Sequence, residues 1–163
     1  MSPAEPTARL RPMRPDEYPA FIAASKTGYA YDMVVHGGML PAAAEQKSHD
    51  DHAAILPEGL GTPGHAIFVV EAGEAAVGHL WVAERGTPKR RTLFVYGIEI
   101  DEEHRGRGFG RAAMLLAEGE ARSRQIGRVE LNVFGGNDVA RGLYRSLDYV
   151  ETSVQMAKVL SEA

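Results

Sequence analysis

Asp101-Glu102-Glu103-His104-Arg105-Gly106-Arg107-Gly108-Phe109-Gly110-Arg111 joins two stretches of different periodicity. Before it, Leu93 to Asp101 is apolar at nearly every position, as in a strand buried on both faces. After it, Phe109, Ala112, Ala113, Leu116 and Ala117 recur on one face of a helix that stops at Gly127. A junction of this kind binds anions. Amides in the first turn of a helix lack partners and point outward, and the helix dipole adds partial positive charge, so a pyrophosphate fits there. Glycines at 106, 108 and 110 let such a ligand approach the backbone with no Cβ in the way.

Downstream, Val129, Leu131 and Val133 alternate with polar residues as a strand does. After Gly135-Gly136 a short helix is expected to carry Val139, Ala140, Leu143 and Leu147 inward, and Tyr149 to Leu160 reads as a last strand. Upstream, Met1 to Thr7 is a Pro-rich, frayed start, and Ala8 to Met13 alternates as an edge strand would. Pro15 and Asp16 open a helical region reaching about Leu56, divided by Gly37-Gly38. Leu56 to His65 is a loop, followed by a hairpin of Ala66 to Glu71 and Ala76 to Glu84 turning at Ala72-Gly73-Glu74.

Composition limits the function classes. The 163 residues suit one domain, and 44% hydrophobic with 25% charged residues is the balance of a soluble globular protein. A net charge of -4 gives no global attraction to nucleic acid or anionic membranes, so any anion site is local. With no cysteine there is no disulfide, thiolate metal site or cysteine nucleophile. No apolar run is long enough to span a bilayer, and the opening lacks a signal-peptide pattern, which points to a cytoplasmic protein.

Arg105-x-x-Gly108-x-Gly110 resembles the Arg/Gln-x-x-Gly-x-Gly/Ala loop with which acetyltransferases of the GNAT superfamily hold the pyrophosphate of coenzyme A. One strand later, Asn137-x-x-Ala140-x-x-x-Tyr144 is similar to the family's Asn-x-x-Ala-x-x-x-Tyr segment. A dinucleotide-binding reading is disfavoured, because Gly-x-Gly-x-x-Gly would need a glycine at Arg111 and a first strand before it. The resemblance implies an α/β (α+β) fold. Its mixed, mostly antiparallel central sheet has about six to seven strands, flanked by about four helices. It implies one N-acetyltransferase domain over 1-163, with 8-92 as the acceptor-side half and 93-160 as the coenzyme A half.

By the same resemblance, Arg105, Gly106, Arg107, Gly108, Phe109, Gly110 and Arg111 hold the pyrophosphate of acetyl-coenzyme A. Ile98, Glu99 and Ile100 pair through their backbone with its pantetheine arm, one amide polarising the thioester carbonyl. Gly97 is a candidate for the bulge that splays this strand from its neighbour. Tyr144 is the expected acid that protonates the departing thiolate. Asn137 reaches the cofactor, caps its own helix, or does both. Glu99 is the first candidate for the base, with Tyr96 and His79 as alternatives.

The acceptor is an amine of small-molecule or peptide origin, in the region of Tyr29, Tyr31, Asp32, Met33 and His36. A non-catalytic acyl-coenzyme A sensor is the rival reading. His49-Asp50-Asp51-His52 has metal-like spacing but reads better as a solvated helix face, and the chemistry needs no metal. Two departures from the family pattern stand out. Leu147-Asp148-Tyr149 puts an Asp where glycine takes a left-handed turn, and no loop divides Tyr149 to Leu160 to wall the acceptor site, which suggests a homodimer.

Overall fold

The computed structural model describes residues 4–161. In chain order its elements are β1 (Arg9–Pro12), α1 (Tyr18–Val35), α2 (Pro41–Ile55), β2 (His65–Ala72), β3 (Ala75–Thr87), β4 (Arg90–Ile100), α3 (Phe109–Ser123), β5 (Val129–Leu131) and α4 (Asp138–Ser146). The strands lie in the order β1-β2-β3-β4-β5. All neighbours are antiparallel except β4 and β5, which α3 connects as a parallel crossover.

The mixed α/β class is as expected, but the described sheet has five strands instead of six or seven. The expected strand over Tyr149 to Leu160 is absent: residues 150–161 adopt no regular structure and all are exposed. Glu151 meets α4 instead: Arg145 holds it at 2.9 Å and Arg141 binds the same oxygen. A second expectation fails on α4, where Val139 is 89% exposed; it does not point inward.

Alternation along the strands sorts the core into two layers. Leu80, Val82 and Val95 face α3 and meet its Ala113, Met114 and Ala117. Small residues along this helix bring it close to the sheet. On the opposite face, Trp81 and Ile67 pack against Phe21 of α1 and Leu56. Helices α1 and α2 join through Ala30, Met33 and Ala44. His52 belongs to this interior and not to a solvated face. Its Nδ1 lies 2.8 Å from the carbonyl of Ser48, and its Nε2 lies 2.9 Å from the hydroxyl of Ser25. Burial lowers its pKa, so the neutral ring donates to the carbonyl and accepts from the serine.

Gly78 decides how closely β3 approaches the end of β4. A Cβ there would stand 2.1 Å from the carbonyl oxygen of Glu99, which backbone cannot tolerate. Gly78→Ala is therefore expected to force the strands apart at Glu99 and Ile100 and to cost about 1–3 kcal/mol of stability, the usual penalty for overpacking. Chemical denaturation checks this, and unchanged stability would contradict it.

Candidate active site

The loop between β4 and α3 is built by two glycines in a conformation that other residues avoid. Gly106 has φ 73° and Gly108, at the N-cap of α3, has φ 86°. Between them the chain turns so that the amides of residues 106–111 donate no hydrogen bond to any described residue. These unpartnered donors stand at the positive end of a 15-residue helix. Free amides at a helix N-terminus are donors of the kind an anion accepts from.

The arginines around the loop are held differently from one another. Arg105 donates through Nε to the carbonyl of Ile100 at 2.8 Å and approaches Glu99 to 3.8 Å, so it braces the end of β4. Arg111 donates through Nε to Glu5 at 2.8 Å and reaches the carbonyl and hydroxyl of Ser146 on α4. Pro6 lies against Gly108, its Cδ 3.1 Å from the position a Cβ would take. The start of the chain was expected to be frayed; Glu5 and Pro6 are instead packed on the loop, while Met1 to Pro3 lie outside the described residues. Nothing in the local pattern announces this contact, because Glu5 and Arg111 stand 106 residues apart.

Strand β4 pairs with β5 only from Leu93 to Val95. Beyond that point β4 keeps β3 on one side and parts from the β5 segment on the other. The register shift against β3 falls between Trp81 and Val82, where Gly97 and Val95 are the partners, so Tyr96 is the extra residue of a bulge beside Gly97. Tyr96 itself stacks on Trp81 at 4.8 Å and serves packing. Ile98 and Ile100 pack toward the α3 layer, whereas Glu99 faces α1.

Helix α1 crosses this gap. Its Phe21 meets the ring of His79 at 4.8 Å, Gly28 lies opposite Glu99, with 3.9 Å between a Cβ position and Oε2, and His36 stacks on Phe134 after β5. Gly28, Asp32 and His36 are four residues apart and share one face. Asp32 thus lies between the Glu99 side and the β5 side, where its charge acts on Tyr144. The side chain of Asp32 has no hydrogen-bond or ion-pair partner among the described residues, and burial raises its pKa. Of the other acceptor-side candidates, Met33 is buried in the α1–α2 core, Tyr29 donates to Asp51 at 3.2 Å, and Tyr31 is exposed.

His79, Glu99 and Tyr144 join Asp32 at the gap. His79 and Glu99 are cross-strand partners, with Nε2 and Oε2 3.8 Å apart. Burial lowers the pKa of His79 more than the nearby carboxylates raise it, which keeps the ring neutral at pH 7. Tyr144 is shifted the other way: burial first, then the charge of Asp32, raises its pKa, so its proton is retained throughout the neutral range. Asn137 caps α4 by accepting from the amide of Ala140 at 3.2 Å. At the far end of α4, Asp148 takes φ 64°, the left-handed geometry expected at that position.

Residues 35–149 match the model of the acetyltransferase (GNAT) family. The chain belongs to that family. It is 32% identical over 155 residues to the "uncharacterized N-acetyltransferase" YycN of Bacillus subtilis (strain 168), covering 94% of this chain and 99% of that protein. The crystal structure of YycN superposes with a TM-score of 0.91 over 96% of this chain and 100% of that one. A second B. subtilis relative, the "uncharacterized N-acetyltransferase" YdgE, is 27% identical and covers 93% of this chain and 97% of its own. The GNAT fold also extends to AAC(6')-Iy, solved in complex with the bisubstrate analog CoA-S-monomethyl-acetylneamine. There the TM-score is 0.59 at 15% identity, over 95% of this chain and 99% of that one. The chain is therefore an acetyltransferase by family, and GNAT folds work with acetyl-coenzyme A.

Proposed function

We propose that this protein transfers an acetyl group from acetyl-coenzyme A to a primary amine, by direct attack while both substrates are bound. The observation that carries this reading is the set of unpartnered amides at residues 106–111, placed beside the gap where β4 leaves β5. That AAC(6')-Iy accommodates a bisubstrate analog within the same fold supports attack without a covalent enzyme stage. Acetyl-coenzyme A supplies the activated acyl group as a thioester.

The chain supplies the rest. The loop from Arg105 to Arg111 holds the diphosphate, and the backbone of Ile98, Glu99 and Ile100 lies along the pantetheine arm, with one amide directed at the charge that grows on the carbonyl oxygen. The 93-160 half thus holds the cofactor, and the 8-92 half shapes the acceptor side. Asp32, an unpaired carboxylate on the acceptor side, attracts the ammonium form of the substrate. That ammonium must lose a proton before nitrogen attacks, and neutral His79, backed by Glu99, accepts it. Tyr144 donates its proton to the sulfur that leaves. A cysteine-free chain of this chemistry fits the cytoplasm.

Thiol release across a panel of small-molecule and peptide amines tests the proposal. Release that depends on an acceptor is expected; binding of acetyl-coenzyme A with no such release by any amine would instead favour the sensor reading. The pH profile tests the base. Because burial lowers the pKa of His79, the base form is present above it and is lost as pH falls, which sets the acid limb of kcat/KM below about pH 6.5. His79→Gln is expected to remove that limb and lower kcat by roughly 10²-fold. An unchanged limb would assign His79 to packing against Phe21 alone.

A further inference from the structure

Of the three glycines in the loop between β4 and α3, only Gly106 faces open space. A Cβ on Gly110 would stand 3.4 Å from the side chain of Leu143. At Gly108 the space that the missing Cβ leaves is filled by Pro6, whose Cδ lies 3.1 Å and whose Cγ lies 3.6 Å from that position. The room that glycine gives a ligand is taken there by the chain itself. One residue earlier, the carboxylate of Glu5 accepts from Nε of Arg111, in the first turn of α3, at 2.8 Å. An anion of the protein's own thus sits on the guanidinium beside the free amides.

The hold on this segment is light. Residues 4–8 adopt no regular structure, and residues 4–7 share no backbone hydrogen bond with any described residue. The side chains of Glu5 and Arg111 are 50% and 39% exposed. A pair this open to water favours the bound arrangement by a factor of about five at most. Ala8 and Leu10, by contrast, pack against the core, so the chain is anchored from Ala8 onward. The result is a short arm fixed at one end and weakly attached at the other.

We propose that residues 4–7 form a strap over the loop which coenzyme A displaces, so that the strap and the cofactor exclude each other. This rests on the reading of the loop as the diphosphate site. Charge gives the competition its direction. The carboxylate of Glu5 neutralises Arg111 and repels an approaching phosphate, whereas a diphosphate brings more negative charge to the same guanidinium and to the amides around it. A protein molecule with its strap down is closed to the cofactor, which lowers the apparent affinity in proportion to the closed population. The arm therefore sets the coenzyme A concentration at which the site fills.

Calorimetry of the full chain with coenzyme A supplies the first test. Glu5→Gln takes the anion off Arg111 and is expected to bind two- to fivefold more tightly than the wild type, about the range of an exposed ion pair, with unchanged circular dichroism. Equal or weaker binding would overturn the proposal, because a strap that only orders the loop loses affinity when it is loosened. The second test fixes the strap in place. Glu5 and Ser146 bind the same guanidinium, so Glu5→Cys with Ser146→Cys brings two thiols near each other in a chain that has no others. Joining them with a short bismaleimide is expected to abolish coenzyme A binding, while the unjoined double variant binds. Equal affinity of the joined and unjoined proteins would reject the strap and leave the diphosphate reading standing. A wild-type chain that takes no coenzyme A would instead reject that reading, and the strap with it.

Discussion

Gly108→Glu is expected to abolish acetyl-coenzyme A binding, with no heat detectable by calorimetry at concentrations that saturate the wild type. Two independent effects act at this residue. Gly108 holds φ 86°, where a Cβ-bearing residue costs roughly 1–2 kcal/mol, and its Cβ would press on Pro6. The carboxylate would then stand among the unpartnered amides of residues 106–111, satisfying donors that the diphosphate needs and repelling its charge. Gly106→Glu separates charge from packing. Gly106 has φ 73° but open space around its Cβ position, so the second variant brings the same charge without the clash on Pro6. Loss of binding in both, with native circular dichroism, is the expected result. Unchanged affinity in folded Gly108→Glu would remove the loop from the cofactor site.

Tyr144→Phe is expected to lower kcat by roughly 10²-fold or more while leaving the fold and the affinity for acetyl-coenzyme A nearly unchanged. The ring packs beside Tyr149, 6.0 Å between centroids, and phenylalanine preserves that contact. What is lost is a proton. Burial and the charge of Asp32 keep the phenol protonated well above neutral pH, as an acid that must hold its proton until sulfur departs requires. Activity should accordingly show no loss of this acid between pH 7 and 9. Pre-steady-state kinetics would establish that chemistry limits the rate; full retention of kcat under that condition would leave Tyr144 with a packing role only.

Much of the fold was legible because its signals are local. The glycines at 106 and 108 have no side chain to give up, so the turn into α3 follows from composition, and the period of Phe109, Ala112, Ala113 and Ala117 requires a helix with one buried face. The left-handed turn at Asp148 was visible in the place where a glycine was expected. The last strand was misread for an instructive reason. Alternation at Val150, Val154 and Met156 reports a preference for strand, but a strand also needs an edge to pair with, and that edge is a tertiary matter. His52 was misread likewise: His49-Asp50-Asp51-His52 reads as a solvated helix face, yet His52 is buried with its ring on Ser25, 27 residues away.

The amino-acid order by itself determined the elements, the anion-binding junction and the kinds of residue able to handle protons, because these depend on neighbours within a turn or two of chain. Only the tertiary structure decided which of those residues meet. It set His79 opposite Glu99 through strand register, ran α1 across the gap so that Asp32 acts on Tyr144, and laid Glu5 and Pro6 on the loop. The physical reason is that a charge's effect depends on distance and burial, and both are properties of packing between segments far apart in the chain.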